Sequence, residues 1–261
     1  MAVPRLRIAL AQIAAVEGDL AGNLRLAGDA IRKAVRRGAD LVCLPEAADL
    51  GWLHQEARAD AGTIPGKYTD RLAGLASKHR VWICGGCLER DGERVYNSAV
   101  LIGPEGAIVL KHRKIKTLPK LTRRLYDAGP PGGVQVAETG FGRVGLTICA
   151  DNFDLKIPRR AAESGAWLLL APHGFAAPVK EMRNNAGEFL RHLRRVARGT
   201  GMWVAAANAV LGRVKGGAWK GWMHCGCSAV MRPDGTALAT GLFKQADLVI
   251  CDIPPDGAGS C

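Results

Sequence analysis

Short apolar runs recur along this chain at helix-length intervals, and that spacing constrains its fold more than any other feature. Leu41-Val42-Cys43-Leu44, residues 81–88, 142–149 and 203–208, Trp167-Leu168-Leu169-Leu170-Ala171 and residues 248–253 are apolar on both parities. Strands of that kind are covered on both faces. Residues 5–12 read as a further strand. Between the runs lie segments with helical periodicity. Asp19 is placed to cap a helix bearing Leu20, Leu24, Ile31 and Val35 on one face, and Gly38 follows its basic last turn as a stop. Residues 69–79 and 158–164 read as helices. So do 184–198, with Phe189, Leu190, Leu193, Val196 and Ala197 inward. Gly103-Pro104-Glu105-Gly106 and Pro233-Asp234-Gly235 each join two strands as hairpin turns, so the sheets are expected to be mixed. The pattern predicts a layered α/β sandwich; a barrel requires more regular βα repetition.

With 261 residues, 48% of them hydrophobic, and no linker-like stretch, one domain over 1–261 is expected. The chain has no run of about 18 apolar residues, which argues against a membrane span. The basic-then-apolar start ends at Gln12 and reads as a first strand rather than a secretion signal. Cys43, Cys84, Cys87, Cys149 and Cys251 sit within or at the end of apolar runs, where a free thiol behaves as a small hydrophobe. Reduced thiols and a cytoplasmic location follow as expectations. The net charge of +12 raises nucleic acid as a partner. Aromatics are only 5%, however, and none interleaves with the basic runs, so a solvated surface or an anionic small substrate is preferred.

Three residues stand where chemistry is expected. Cys149 closes the run Gly142-Arg143-Val144-Gly145-Leu146-Thr147-Ile148, the way a strand delivers a thiol to the rim of a sheet. A thiol there is a nucleophile if a base or cation lies near it. Glu46 follows an apolar strand and Pro45. A carboxylate beside a buried core tends to have a raised pKa, which suits a general base. Lys114, in a basic stretch, suits oxyanion stabilisation and would lower the pKa of a neighbouring thiol. His173 follows another strand end, so a Cys–His pair is an open alternative. Cys84-Gly85-Gly86-Cys87 and His224-Cys225-Gly226-Cys227 have zinc-like spacing, but the first lies within a strand, where alternate side chains point to opposite faces.

Taken together and in order, these segments resemble the nitrilase superfamily of carbon–nitrogen hydrolases. Leu41-Val42-Cys43-Leu44-Pro45-Glu46 is similar to the family's strand ending in Pro-Glu. The hairpin from Tyr96-Asn97-Ser98 to Gly106, His112-Arg113-Lys114 and Gly145-Leu146-Thr147-Ile148-Cys149-Ala150-Asp151 match later elements. Ala207-Asn208, Gly226-Cys227-Ser228 and Pro233-Asp234-Gly235 complete the series. The resemblance implies a four-layer α-β-β-α sandwich with two mixed sheets. It implies a Glu46, Lys114 and Cys149 triad, with the Ala150 N–H in the oxyanion site, and neither metal nor organic cofactor. Homodimers or larger homo-oligomers are also implied.

The chain departs from the family pattern in places. Thr122 stands where many members carry a second glutamate, which makes it a substrate-binding candidate and leaves Asp127 as a replacement acid. Arg195-Val196-Ala197-Arg198-Gly199 replaces an acid with a base, and Ala150 replaces an aromatic. The expected activity is hydrolysis of a small amide or carbamoylated amine through a thioester. The basic residues in 111–124 suggest an anionic substrate. A nitrilase converting a nitrile to an acid, and a non-catalytic binding protein on the same fold, are the alternatives.

Overall fold

The computed structural model describes residues 5–122 and 125–254. Arg123 and Arg124 of the basic run, and the first four residues, lie outside them. The first half runs β1 (Leu6–Gln12), α1 (Leu20–Arg36), β2 (Leu41–Cys43), α2 (Ala57–Asp60), α3 (Lys67–His79), β3 (Trp82–Asp91), β4 (Arg94–Ile102), β5 (Ile108–Arg113) and a one-turn α4 (Pro119–Thr122). The second half continues with β6 (Val136–Thr139), β7 (Gly142–Leu146), α5 (Lys156–Glu163), β8 (Leu168–Leu170), β9 (Ala176–Ala177), α6 (Met182–Thr200) and β10 (Trp203–Ala206). It closes with β11 (Val210–Arg213), β12 (Met223–Cys225), β13 (Ala229–Met231), β14 (Ala237–Thr240) and β15 (Asp247–Ile253).

Two six-stranded mixed sheets form, in the orders β15-β1-β2-β3-β4-β5 and β14-β13-β10-β8-β7-β6. The two-residue period of a strand sorts their side chains. Ile8, Leu10, Leu41, Cys43, Ala99 and Leu101 of one sheet meet Val144, Leu146, Leu168, Leu170 and Ala205 of the other. Their sequence neighbours Ala9, Ala11, Val42 and Val100 turn outward to α1 and α3, and Leu169, Val204 and Ala206 turn to α5 and α6. Each sheet therefore has an apolar face on both sides, and helices cover the outer two. This is the four-layer α-β-β-α sandwich.

Asp19 caps α1 as expected, accepting the Gly22 N–H at 2.8 Å. Several boundaries differ from the sequence reading for physical reasons. β3 runs on through Glu89 because that buried carboxylate is satisfied by Ser98, Lys111 and Arg113. The strand before Cys149 ends at Leu146 rather than reaching the thiol. Strand β6, its antiparallel neighbour, was not anticipated, nor was the small sheet β11-β12-β9. Cys84 faces the space between the sheets while Cys87 faces the α1–α3 side, so the two thiols of the C-x-x-C segment cannot share an ion. Among the described residues all seven cysteines are free thiols, and no group of three His, Cys, Asp or Glu is placed to hold a metal. No helix among them is long and apolar enough to cross a membrane.

Candidate active site

Glu46, Lys114 and Cys149 come from three different strand ends and meet at one rim of the sandwich. Glu46 leaves β2 through Pro45. Its turn is held by the Leu44 N–H on the Cys84 carbonyl at 2.8 Å and the Ala48 N–H on the Gly86 carbonyl at 2.9 Å. Gly86 is required there: a Cβ would stand 2.5 Å from the Pro45 oxygen and 2.7 Å from the Glu46 Cα. The buried Glu46 carboxylate takes three donors. Lys114 Nζ is 2.5 Å and Asn97 Nδ2 2.7 Å from Oε1, and the Gly174 N–H is 2.7 Å from Oε2.

Lys114 follows β5 and is 2% exposed. Its main chain is clamped, the N–H donating to the Asn97 carbonyl at 2.8 Å and the carbonyl accepting from Gly129 at 2.9 Å. Burial disfavours the ammonium, but Glu46, Cys149 and Asp151 outweigh it and hold the Lys114 pKa above its ordinary value. Its Nζ also lies 6.0 Å from the Trp52 ring centroid.

Cys149 opens a short 3-10 helix, Cys149–Phe153, with φ at 41°. Such a conformation costs a non-glycine residue about 1–3 kcal/mol and persists only where surrounding bonds over-determine it. The Cys149 N–H reaches the Pro172 carbonyl at 3.0 Å. Asp151 supplies the rest. Its Oδ2 accepts the Ile148 N–H at 3.1 Å and faces His112 Nε2 at 2.8 Å, while Oδ1 accepts the Ile115 and Lys116 N–H groups at 3.0 and 2.8 Å. One buried carboxylate thus ties the cysteine turn to the segment carrying Lys114.

Lys114 does lower the Cys149 pKa as expected, but it does not set the net direction. Burial pushes the Cys149 pKa well above the usual thiol range and Glu46 adds to this; Lys114 and the Gly174 N–H offset only part. Burial therefore favours the neutral thiol, and a nucleophile in that form needs a base at the moment of attack.

Above the thiol is a cavity of ≈ 220 Å³ lined by Cys149, Lys114 and Gly174 at its floor and by aromatics, Trp52, Phe153, Phe175, Trp219 and Trp222, around its wall. Glu188 and Asn185 of α6 stand at its edge. Ala150 is buried in the first turn after the cysteine. Thr122 is not on the wall; its hydroxyl reaches the Leu118 carbonyl at 3.4 Å within α4. His173 is also absent from the wall. Its Nδ1 lies 2.6 Å from the Ala171 carbonyl, its ring packs on Phe189, and burial pulls its pKa down to about 4. The His173 backbone carbonyl is what serves the site, accepting the Glu46 N–H at 3.3 Å. Asp127 is far from Lys114 in function: it accepts the Val95 N–H at 2.9 Å and pairs with Arg58 at 3.0 Å near the surface. Asn97, Trp52, Gly174 and Asp151 were not singled out from the sequence. A polar residue within an apolar strand, for Asn97, and an acid two places after the cysteine, for Asp151, were the available signals.

The carbon-nitrogen hydrolase family model matches residues 7–261, and the chain belongs to this family. It is an amidase-like carbon–nitrogen hydrolase. The omega-amidase NIT2 of Bos taurus is 28% identical over 260 residues, covering 97% of this chain and 89% of that protein. A nitrilase of Pyrococcus abyssi is 36% identical over 160 residues, covering 60% of each. Among solved structures, the NitN amidase of Nesterenkonia sp. AN1 superposes with a TM-score of 0.82 at 25% identity, covering 95% of this chain and 93% of that one.

Proposed function

We propose that Cys149, Glu46 and Lys114 carry out hydrolysis of a small amide through a thioester acyl-enzyme. The observation that carries this reading is the Lys114 Nζ on Glu46 Oε1 at 2.5 Å, on the floor of the cavity that Cys149 lines. Glu46 takes the thiol proton as the sulfur attacks the amide carbon. Lys114 and the N–H of Ala150 stabilise the resulting oxyanion. Glu46 then returns its proton to the departing nitrogen, and ammonia or an amine leaves. Water, deprotonated by the same carboxylate, attacks the thioester; the acid is released and the thiol regains its proton.

The aromatic wall favours a neutral acyl group over an anionic one. Lys111 and Arg113, on which the anionic expectation partly rested, are spent on Glu89 at 2.7 and 2.6 Å and do not line the cavity. Trp52 Nε1, Trp219 Nε1 and Asn185 Oδ1 are buried without a partner among the described residues and are available to orient a polar group. Omega-amidases among the relatives support an amide rather than a nitrile. The chain is further proposed to act as one catalytic domain in a reducing cytoplasm and to assemble as a homo-oligomer, which light scattering checks. The central test is Cys149→Ala assayed for ammonia release from a panel of small neutral and anionic amides. Loss of all turnover is expected; unchanged turnover removes the triad, and faster turnover of anionic amides removes the substrate preference.

A further inference from the structure

Three of the chain's six tryptophans, Trp52, Trp219 and Trp222, stand on the wall of the catalytic cavity. Trp219 lies edge-on to Trp52, with ring centroids 4.8 Å apart and planes at 83°, and is tilted 44° to Trp222 at 4.0 Å. Indoles set at such different angles make a corner that presents π faces in more than one direction. The indole face carries negative charge density and is the strongest aromatic site for a cation. Trp52 already has Lys114 Nζ 6.0 Å from its centroid, which leaves Trp219 and Trp222 for a second cation. Charge in the same cavity points the same way. Of its lining residues, Lys114, Cys149, Glu188 and His192 titrate. Lys114 is held by Glu46, and burial keeps Cys149 a neutral thiol. Burial, with Arg195 adding to it, holds His192 below its ordinary value, so its ring is neutral at pH 7. Glu188 supplies the remaining charge. Its contact with Arg191, at 3.5 Å, is longer than the about 2.7–2.9 Å of a charge-assisted hydrogen bond, so the carboxylate keeps attraction for another cation. One helical turn before it stands Asn185, whose Oδ1 is buried without a partner among the described residues.

We propose that this tryptophan corner, with Glu188, takes an ammonium group, so that the preferred substrates are small primary amides with a protonated amine on the acyl chain. The proposal rests on the amidase reading above and names the class of acyl group within it. A water takes about 30 Å³, so the ≈ 220 Å³ cavity has room for roughly seven non-hydrogen atoms. 3-Aminopropanamide fits that limit and carries an ammonium at pH 7; butanamide is its neutral match in size. The unpartnered N–H groups of Trp52 and Trp219 suit an oxygen, which both amides offer equally, so the pair isolates the cationic end.

Two readouts separate binding from chemistry. Ammonia release by the full chain gives kcat/KM for 3-aminopropanamide, butanamide and succinamate. At pH 7 the ammonium amide should lead butanamide by at least tenfold, with succinamate last. That ratio should fall as pH rises through the substrate's own amine pKa, because titration of the enzyme cancels between the two substrates. It should drop at least fivefold in Glu188→Gln and in Trp222→Leu, and keep the parent value in Glu138→Gln, whose exposed side chain pairs with Arg143 on β7. Tryptophan emission of Cys149→Ala, titrated with the same amides, gives affinity without turnover. There 3-aminopropanamide should bind at least tenfold more tightly than butanamide, and Cys149→Ala/Glu188→Gln should lose most of that difference. Equal affinities overturn the proposal, and tighter binding of butanamide makes the tryptophan corner an apolar subsite instead. A kcat/KM ratio near or below one in an active parent also overturns it, as does a ratio that survives both Glu188→Gln and Trp222→Leu. No turnover of any amide by the parent overturns the amidase reading alone, and the emission titration then decides the ammonium subsite by itself.

Discussion

Asp151→Asn isolates a residue that touches neither thiol nor substrate in the proposed mechanism, yet holds two parts of the site together. The carboxylate accepts from Ile115, Lys116 and Ile148 N–H groups and pairs with His112, four partners on two buried oxygens. A carboxamide has one oxygen and keeps at most two of these bonds, while its NH2 group faces the other two donors. Each orphaned buried donor costs about 1–3 kcal/mol, so a destabilisation of roughly 2–6 kcal/mol is expected. For a chain of this length that is about 10 °C in Tm. The pH dependence has a definite sign. Burial works to raise the Asp151 pKa, but His112 and the Lys116 N–H lead the effects that bring it below its ordinary value. Its contribution to stability is therefore present above about pH 4 and is lost as pH falls through the folded value. The variant should lose most stability near neutrality and converge on the parent in acid. Urea denaturation across pH measures this. On folded protein, kcat for ammonia release should drop about a hundredfold, because the Cys149 turn and the Lys114 segment are no longer fixed relative to each other. Parent-like stability at pH 7 together with parent-like kcat refutes the assignment of Asp151 as a positioning residue.

Other perturbations separate the remaining contributions. Lys114→Met should cut kcat by about 10²–10³ by removing an oxyanion donor, and lower Tm because Glu46 loses a buried partner; steady-state kinetics with little change in kcat counts against the proposed role. Gly86→Ala drives a methyl group into the Glu46 turn and should lower kcat about a hundredfold with circular dichroism unchanged. Burial raises the Asp49 pKa from 3.8 to about 7. The folded state then holds a proton that the unfolded state has released, so parent stability falls as pH rises from about 4 to 7. Asp49→Asn, which keeps an acceptor for the Leu88 N–H, should be stabilising by up to about 4 kcal/mol at pH 8 and neutral near pH 4. Equal chemical stability of the two at pH 8 would show that Asp49 is ionised without penalty.

How much of this was legible in the sequence follows from the range of the interactions. The layers were readable because unbroken apolar runs such as Leu41-Val42-Cys43-Leu44 need cover on both faces, and that requirement is local. The edge strand β6 was not, because Val136–Thr139 alternates only weakly and owes its place to pairing with β7. Glu46 and Cys149 were conspicuous because each closes an apolar run in the sequence, whereas Lys114, inside the basic run Lys111-His112-Arg113-Lys114, was singled out by the family resemblance. Their shared cavity depends on two sheets meeting, which no local signal encodes. The partners that hold the three in place were hidden for the same reason: Asn97 reaches Glu46 across 51 residues and Gly174 reaches it across 128. The thiol pKa shows the same limit in energetic form. A cation near a cysteine lowers its pKa when both are solvated, and the basic stretch around Lys114 invited that inference. Lys114 still lowers the Cys149 pKa, but desolvation of the buried sulfur and the charge of Glu46 outweigh it. In the proposed mechanism, deprotonation of the thiol by Glu46 is therefore expected to accompany attack rather than precede it. Thiol labelling tests that distinction: Cys149 should react slowly at pH 7 with methyl methanethiosulfonate, which has no amide carbonyl to place on Lys114, yet rapidly with chloroacetamide, which has one, and fast labelling by both reagents would mean that a thiolate is already present.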